Sequence, residues 1–214
     1  MVKKLLTCAV AGMFASSGMA AVSLQTVSFG ITPVLGSAIV DFEGSNVLPS
    51  GFTSSQTGNV TLQNGSTSGV AAEPMDDHSQ YLAISNGSYS LMSNVGYSFL
   101  NFYWGSIDAG NRVDLLDQNG NSFFHWLGND ALMSSTANGD WWASATNRTV
   151  KLTSTGQKIY GVKFSYDSTA FELDNVGFGA VPEPATWAMM IVGFGLIGAA
   201  LRASRKSTKQ VVSA

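Results

Sequence analysis

Cysteine is almost absent from this 214-residue sequence, in which Cys8 is the single copy. Residues 1–20 begin with a lysine pair, continue with an apolar stretch and end in small residues at Ala20, which is the pattern of a secretory signal peptide. Cleavage after Ala20 would leave a chain without any cysteine. Disulfides and thiol chemistry are therefore excluded, and an exported domain formed by residues 21–180 must be stabilised by its hydrophobic core.

Positive charge is scarce in residues 21–180. They contain five Lys and Arg against thirteen Asp and Glu, so their formal net charge is 5 − 13 = −8, whereas the whole chain carries −3. The other six basic residues lie at the two ends of the chain. An acidic domain repels phosphate groups, so nucleic acid and anionic lipid are excluded as its partners.

Histidine is also rare, since only His78 and His125 are present, too few for a three-histidine metal centre. The nucleophile motif Gly-x-Ser-x-Gly is not found, because residues 65–69 have threonine at the centre. We interpret Asp76-Asp77-His78 as a solvent-exposed turn. No catalytic residue is predicted, and the domain is expected not to be an enzyme. The alternative is a polysaccharide hydrolase, which needs two carboxylates at a spacing that sequence does not give.

Helical periodicity is hard to find in residues 21–180, whereas turn signals recur. The dipeptide Asn-Gly, which suits hairpin turns, occurs at 64–65, 86–87, 119–120 and 138–139. Two of these copies lie between alternating apolar segments. They predict one hairpin over residues 81–91 and another over residues 112–126.

Further strands are predicted at residues 160–166, where aromatic and aliphatic side chains alternate with small or polar ones, and at residues 171–178. Residues 49–69 are dense in Ser, Thr, Gly and Asn and are expected to form a loop with a short strand at 60–62. Short strands at such spacing predict an all-β fold, an antiparallel, jelly-roll-like β-sandwich.

Four tryptophans belong to residues 21–180, namely Trp104, Trp126, Trp141 and Trp142. Flat aromatic faces are the usual platforms for sugar rings, although most tryptophans in a sandwich are core residues. Because neighbours on a strand face opposite sides, we expect one of Trp141 and Trp142 to be exposed and the other buried. The candidate carbohydrate platform therefore consists of Trp141, Trp142 and Trp104.

The end of the chain differs in composition from the part before it. Residues 185–201 carry no charge, and as a helix they would be about 26 Å long, the lower limit for crossing a bilayer. A basic flank stops transfer and would keep residues 202–214 in the cytoplasm; it consists of Arg202, Arg205, Lys206 and Lys209. We predict a single C-terminal transmembrane helix.

The Gly-x-Gly-x-x-Gly pattern inside it is not a nucleotide site, because Pro184 precedes it and no acid follows.

Four features follow one another in residues 181–206: Pro182-Glu183-Pro184, Trp187-Ala188, the apolar run and the basic tail. In this order they closely resemble the PEP-CTERM sorting signal in its PEPxxWA form. The resemblance implies a Gram-negative bacterium, export by the Sec machinery, transient retention in the inner membrane and recognition by an exosortase. It also implies a final place at the cell surface or in the extracellular matrix, often with exopolysaccharide.

Residues 40–178 look, in short islands, like small exosortase-dependent surface proteins. Phe42-Glu43 and Asp174-Asn175-Val176 are also similar to galactose-binding-like jelly rolls, in which such acids can hold a structural calcium ion. Glu43 and Asp174 are therefore the candidate calcium ligands, and no other cofactor is expected. We expect a surface or matrix protein that associates with exopolysaccharide or binds carbohydrate; the alternative is a secreted polysaccharide-active hydrolase with the same signal.

Overall fold

The computed structural model describes residues 21–29, 36–44, 48–132, 137–180, 189–198 and 201–202. Residues 189–198 and 201–202 are helical, and the others form ten strands and one short helix. In chain order they are β1 (Ala21–Phe29), β2 (Ala38–Val40), β3 (Phe52–Gln63), β4 (Tyr81–Tyr97), β5 (Phe99–Gly105), β6 (Arg112–Leu116), β7 (Ser122–Leu127), α1 (Gly128–Ala131), β8 (Arg148–Thr155), β9 (Ile159–Tyr166) and β10 (Phe171–Gly179).

All described strand pairs are antiparallel. The strand order is β1-β8-β5-β10-β4-β9-β6-β7, with β2 beside β10 and β3 beside β4. The predicted all-β, antiparallel sandwich is confirmed. So are the hairpin of β6 and β7 and the strands β9 and β10.

The core follows from side-chain alternation on the strands. In β9, Val162 and Phe164 are fully buried while Lys163 between them is exposed. Aromatic rings fill the centre, where the centroids of Phe102 and Phe164 lie 5.0 Å apart. The buried apolar side chains of the described chain all lie between residues 38 and 178, so a fragment 21–180 retains the whole described core.

The hairpin predicted over residues 81–91 is wrong. β4 runs straight through Asn86-Gly87, opposite a bulge where the register of β3 shifts between Thr57 and Asn59. A Cβ at Gly87 would lie 2.2 Å from the carbonyl oxygen of Thr57, so only glycine fits there. The dipeptide therefore serves a close approach of two strands rather than a chain reversal.

The loop predicted for residues 49–69 is also wrong in large part, because β3 occupies 12 of these residues. Residues 53–59 are exposed, and β3 pairs with β4 along its length. A strand with both faces in water needs no apolar alternation, which is why the pattern of its sequence did not reveal it.

Candidate functional site

Trp141 and Trp142 form an exposed aromatic pair in the turn that precedes β8. Their ring centroids are 4.3 Å apart, and the residues are 37% and 70% exposed respectively. Exposure of one of them agrees with the expectation from sequence. Burial of the other was wrong, because neighbours in a turn, unlike neighbours on a strand, can lie on the same side.

Asn147, which the sequence did not single out, holds this tryptophan turn in place. It is fully buried, and its Nδ2 donates to the carbonyl oxygens of Asp140, Trp141 and Ala143 at 3.3, 3.3 and 3.0 Å. Its Oδ1 accepts from the backbone N–H of Ser106 at 3.1 Å. A buried amide whose oxygen and nitrogen are both hydrogen-bonded to backbone groups fixes the conformation of that backbone. The turn that carries the aromatic pair is therefore ordered.

Trp104, the third member of the candidate platform, is a core residue. It is fully buried and stacks on Phe171 with a centroid distance of 4.9 Å. Its indole N–H donates to Oδ1 of Asn111 at 3.1 Å. The prediction that Trp104 offers a face to a ligand is therefore corrected.

Trp141 also lines a cleft of about 710 Å³. The other walls come from residues 66–72, which connect β3 to β4, and from the ends of β5 and β10; they comprise Ser66, Thr67, Ser68, Gly69, Val70, Ala71, Ala72, Ser106, Asp108, Gly139, Thr169, Ala170 and Glu172. Its volume falls within the usual range of small-molecule sites. Two carboxylates, an aromatic ring and several hydroxyls thus face one space.

Glu172 anchors one wall of this cleft. It is 2% exposed; its Oε1 accepts from the backbone N–H of Ala72 at 2.9 Å, and its Oε2 accepts from the hydroxyl of Ser106. Burial raises the pKa of Glu172 to about 7, although these hydrogen bonds favour the ionised form and act in the opposite direction. Both carboxylate oxygens are therefore engaged within the protein.

Asp108 is the second carboxylate of the cleft and is half-buried. Burial raises its pKa, while a hydrogen bond from Tyr166 acts in the opposite direction. Its backbone is fixed by Asn111, whose Oδ1 accepts from the N–H of Asp108 at 2.8 Å. A Cβ at Gly139 would lie 2.6 Å from Oδ1 of Asp108, so this Asn-Gly signal marks the glycine that makes room for the carboxylate.

A separate group of buried oxygens belongs to Asp174 on β10 and to residues 77–80, which come just before β4. Asp77 and Asp174 are 2% and 1% exposed, and among the described residues no donor reaches three buried oxygens: Oδ2 of Asp77, Oε1 of Gln80 and Oδ1 of Asp174. The two carboxyl groups lie close enough for a hydrogen bond when Asp174 is protonated. The hydroxyl of Ser79 lies between the two acids, donating to Asp77 and positioned 3.2 Å from Oδ2 of Asp174. We refer to Asp77, Gln80 and Asp174 as the oxygen cluster.

Glu43 borders the oxygen cluster without being part of it. Its Oε1 accepts from the backbone N–H of Gln80 at 2.7 Å. Asp77 was interpreted from the sequence as solvent-exposed, but it is buried. It lies in a turn in which its N–H donates to the carbonyl of Pro74 at 3.0 Å. Its neighbours Asp76 and His78 are exposed as expected. Nothing in the sequence distinguished Asp77 from Asp76.

The oxygen cluster fits a hard cation such as calcium. Unpaired buried acceptors are costly, and carboxylate and amide oxygens are the ligands that calcium prefers. Burial and then the charge of Asp77 raise the pKa of Asp174 to about 9, so either a proton on Asp174 or a bound cation would relieve the repulsion between the two carboxylates. In the part of the chain that the structure describes, no three His, Cys, Asp or Glu side chains gather as a metal site, so the amide of Gln80 would be needed.

The C-terminal segment is described only in part. Residues 189–198 and 201–202 are helical, and Arg202 is exposed. No helix among the described residues is long and apolar enough to cross a membrane. The remaining predicted sorting and stop-transfer residues lie outside the described residues: Pro182, Glu183, Pro184, Trp187, Ala188, Arg205, Lys206 and Lys209. The predicted signal peptide 1–20 lies outside them too.

Several solved structures are similar to this chain at low identity. One, from a study of glycan recognition in the Ruminococcus flavefaciens cellulosome, has 18% identity and a TM-score of 0.36 and covers 71% of this chain and 100% of its own. CsCBM6-3 from Clostridium stercorarium in complex with cellobiose has 15% identity and a TM-score of 0.34 and covers 59% of this chain and 87% of its own. A family 11 carbohydrate-binding module from Clostridium thermocellum, in complex with a mixed-linked tetrasaccharide, has 11% identity and a TM-score of 0.28 and covers 68% of this chain and 97% of its own.

Likenesses this distant say nothing about what the present chain binds. No curated protein sequence matches the chain. The family model for the PEP-CTERM protein-sorting motif, in contrast, matches residues 180–206, the segment in which the sequence shows Pro-Glu-Pro, the apolar run and the start of the basic tail in order. The chain therefore carries a PEP-CTERM protein-sorting motif at residues 180–206.

Proposed function

We propose that this chain is a cell-surface or extracellular-matrix protein whose β-sandwich binds carbohydrate, with exopolysaccharide as its surroundings. PEP-CTERM signals mark exported proteins that are sorted to the cell surface, and the motif implies processing by an exosortase. The Sec machinery, a Gram-negative host and a transient inner-membrane intermediate are the finer parts of this proposal. The apolar residues 185–201 and their basic flank support the intermediate.

The observation that carries the carbohydrate proposal is the exposed pair Trp141 and Trp142 at a cleft. A single exposed apolar side chain is common on a protein surface, but two adjoining aromatic rings form a contiguous apolar patch, the kind of surface that marks a binding site. Trp141 lines the cleft together with acceptor groups, and sugars offer both apolar ring faces and hydroxyl donors. An aromatic wall beside carboxylates and hydroxyls matches both features of such a ligand.

Replacing Trp142 with alanine is expected to weaken carbohydrate binding by about tenfold or somewhat more, as the loss of an aromatic contact commonly does. The ligand is the glycan with the strongest signal when domain 21–180 is placed on a glycan array, and affinity is measured by titration calorimetry. Tyr160→Ala is the matched control, because Tyr160 is a partly exposed aromatic that lines a different, smaller pocket with Asp117. Equal affinity of Trp142→Ala and the parent, or no bound glycan at all, would refute the proposal.

The oxygen cluster supports a second part of the proposal, a structural calcium ion. Asp77, Gln80 and Asp174 would hold it, whereas the sequence suggested Glu43 and Asp174. When bound, the ion neutralises the two buried carboxylates and ties β10 to the segment before β4. The role of Glu43 would then be to fix the backbone of Gln80.

Without calcium, the stability of the domain is expected to fall as pH rises from about 4 to about 9. Glu172 and Asp174 have pKa values raised to about 7 and about 9, so the folded state holds protons that the unfolded chain has already released. The unfolding free energy is therefore highest at low pH and falls as pH rises toward the folded-state pKa of each group. The loss is up to about 1.4 kcal/mol per pH unit for each group. Melting temperatures in chelator across this range test it; a constant or rising temperature contradicts it.

A polysaccharide hydrolase is the second candidate, and one observation favours it. Asp108 and Glu172 line the same cleft, and burial together with the charge of Asp108 raises the pKa of Glu172 to about 7, a value suited to a general acid. Glu172 is nevertheless inaccessible and hydrogen-bonded at both oxygens, which ranks this candidate second. Mass spectrometry of polysaccharides incubated with the domain tests it: cleavage that disappears in Glu172→Gln would establish the hydrolase.

A further inference from the structure

We infer that the cleft accepts neutral or amine-bearing sugars and excludes sugars that carry a carboxylate, and that Asp108 is the residue that sets this selectivity. The inference rests on the proposed carbohydrate binding and names the class of sugar that the cleft can take. Asp108 belongs neither to the sorting motif nor to the tryptophan pair.

The charged side chains that line the cleft, within the described residues, are both acidic. They are Asp108 and Glu172, and the described part of the chain contributes no lysine, arginine or histidine to the lining. An ionised carboxylate accepts hydrogen bonds and donates none. The hydroxyls of the lining can donate as well as accept, so they serve a neutral sugar, whereas the charge of a ligand carboxylate would be opposed by that of Asp108.

Asp108, rather than Glu172, is available to a ligand. Glu172 is 2% exposed and spends its two oxygens on Ala72 and Ser106. Asp108 is half-buried, and a carboxylate has about four acceptor positions, of which the hydrogen bond with Tyr166 uses one. The remaining capacity suits a pair of neighbouring sugar hydroxyls.

Partial burial strengthens the attraction of the Asp108 carboxylate for a sugar amine and its repulsion of a sugar carboxylate. Charges act more strongly in a partly buried site than in water, because the effective dielectric constant is lower and salt screens less. Within the residues that the structure describes, the cleft wall offers no cation to offset the carboxylate. Trp141 lines the same space as Asp108, so a sugar that stacks on this ring would come close to the carboxylate.

The experiment is a glycan array that displays neutral, N-acetylated, free-amine and uronate oligosaccharides, probed with domain 21–180 and two variants. The parent is expected to bind neutral or free-amine glycans and to leave uronates at background. Asp108→Asn keeps the shape and an acceptor oxygen but removes the charge, so the ratio of uronate to neutral binding should rise by about tenfold. Asp117→Asn is the control, since it removes an equal charge from the distant turn between β6 and β7 and should leave the ratio unchanged.

The outcomes separate this inference from the proposed function. Uronates bound by the parent as strongly as neutral glycans would overturn the inference and leave carbohydrate binding intact. An unchanged ratio in Asp108→Asn, with the variant folded by its thermal melt, would overturn the role of Asp108. Binding of no glycan would overturn the proposed function and the inference together. Should Asp108→Asn not fold, the array of the parent alone decides whether uronates are excluded.

Discussion

Adding calcium to the chelated domain is expected to raise its melting temperature by about 8–16 °C. If the dissociation constant is about a thousandth of the calcium concentration, binding stabilises the fold by about 4 kcal/mol, and each kcal/mol shifts the midpoint of a domain this size by roughly 2–4 °C. The physical source is the oxygen cluster, in which three buried oxygens find no donor within the described residues and the two ionised carboxylates repel each other. Differential scanning calorimetry with calcium and with chelator measures the shift.

Neighbouring acids provide a matched control for the calcium prediction. Asp77→Asn removes a carboxylate from the oxygen cluster and should abolish most of the calcium response. Asp76→Asn makes the same change one residue earlier, at an exposed position with a φ of 65° that asparagine tolerates, and should leave the response intact. The same melting temperature with and without calcium in the parent would show that the oxygen cluster holds no calcium.

Replacing Trp104 with alanine is expected to cost about 3–5 kcal/mol of unfolding free energy, the usual cost of truncating a large buried aromatic. Trp104 packs on Phe171 and also lies 5.5 Å from Phe102, measured between ring centroids. The change also removes the indole N–H from Oδ1 of the buried Asn111, which keeps the N–H of Asp108 as its donor. Urea unfolding of domain 21–180 measures the difference.

The control for Trp104 is another tryptophan of the same domain. Trp142→Ala alters an exposed side chain and should change stability by about 0.5 kcal/mol or less, although it weakens carbohydrate binding. The two variants therefore separate packing from recognition. A loss of stability in Trp104→Ala no larger than in Trp142→Ala would contradict the assignment of Trp104 to the core.

Local patterns predicted the strands whose signals lie within a few residues. Alternation in β9 and a hairpin turn between β6 and β7 were sufficient, because both elements follow from neighbouring side chains. Asn86-Gly87 misled because the dipeptide specifies a backbone conformation, a φ of 49° at Asn86, and does not specify whether the chain reverses. The partner that decides this is Gly58 on β3, whose approach no local pattern reveals.

The candidate sites were harder to predict because their residues are distant in sequence. The contact of Ser79 with Asp174 spans 95 residues, and that of Ala72 with Glu172 spans 100. Acidic residues are common in this chain, and their types do not show which of them meet. Exposed aromatics could be anticipated from Trp141 and Trp142 alone, whereas the cleft beside them required the fold.

The most direct test of the sorting claim is the intact mass of the protein recovered from the surface of a host that has an exosortase. The account predicts a mature chain that begins at Ala21 and ends near Pro182-Glu183-Pro184, without the apolar run and basic tail. A host without the exosortase should retain the tail. Surface material that keeps every residue through Ala214 in the exosortase-containing host would contradict the account.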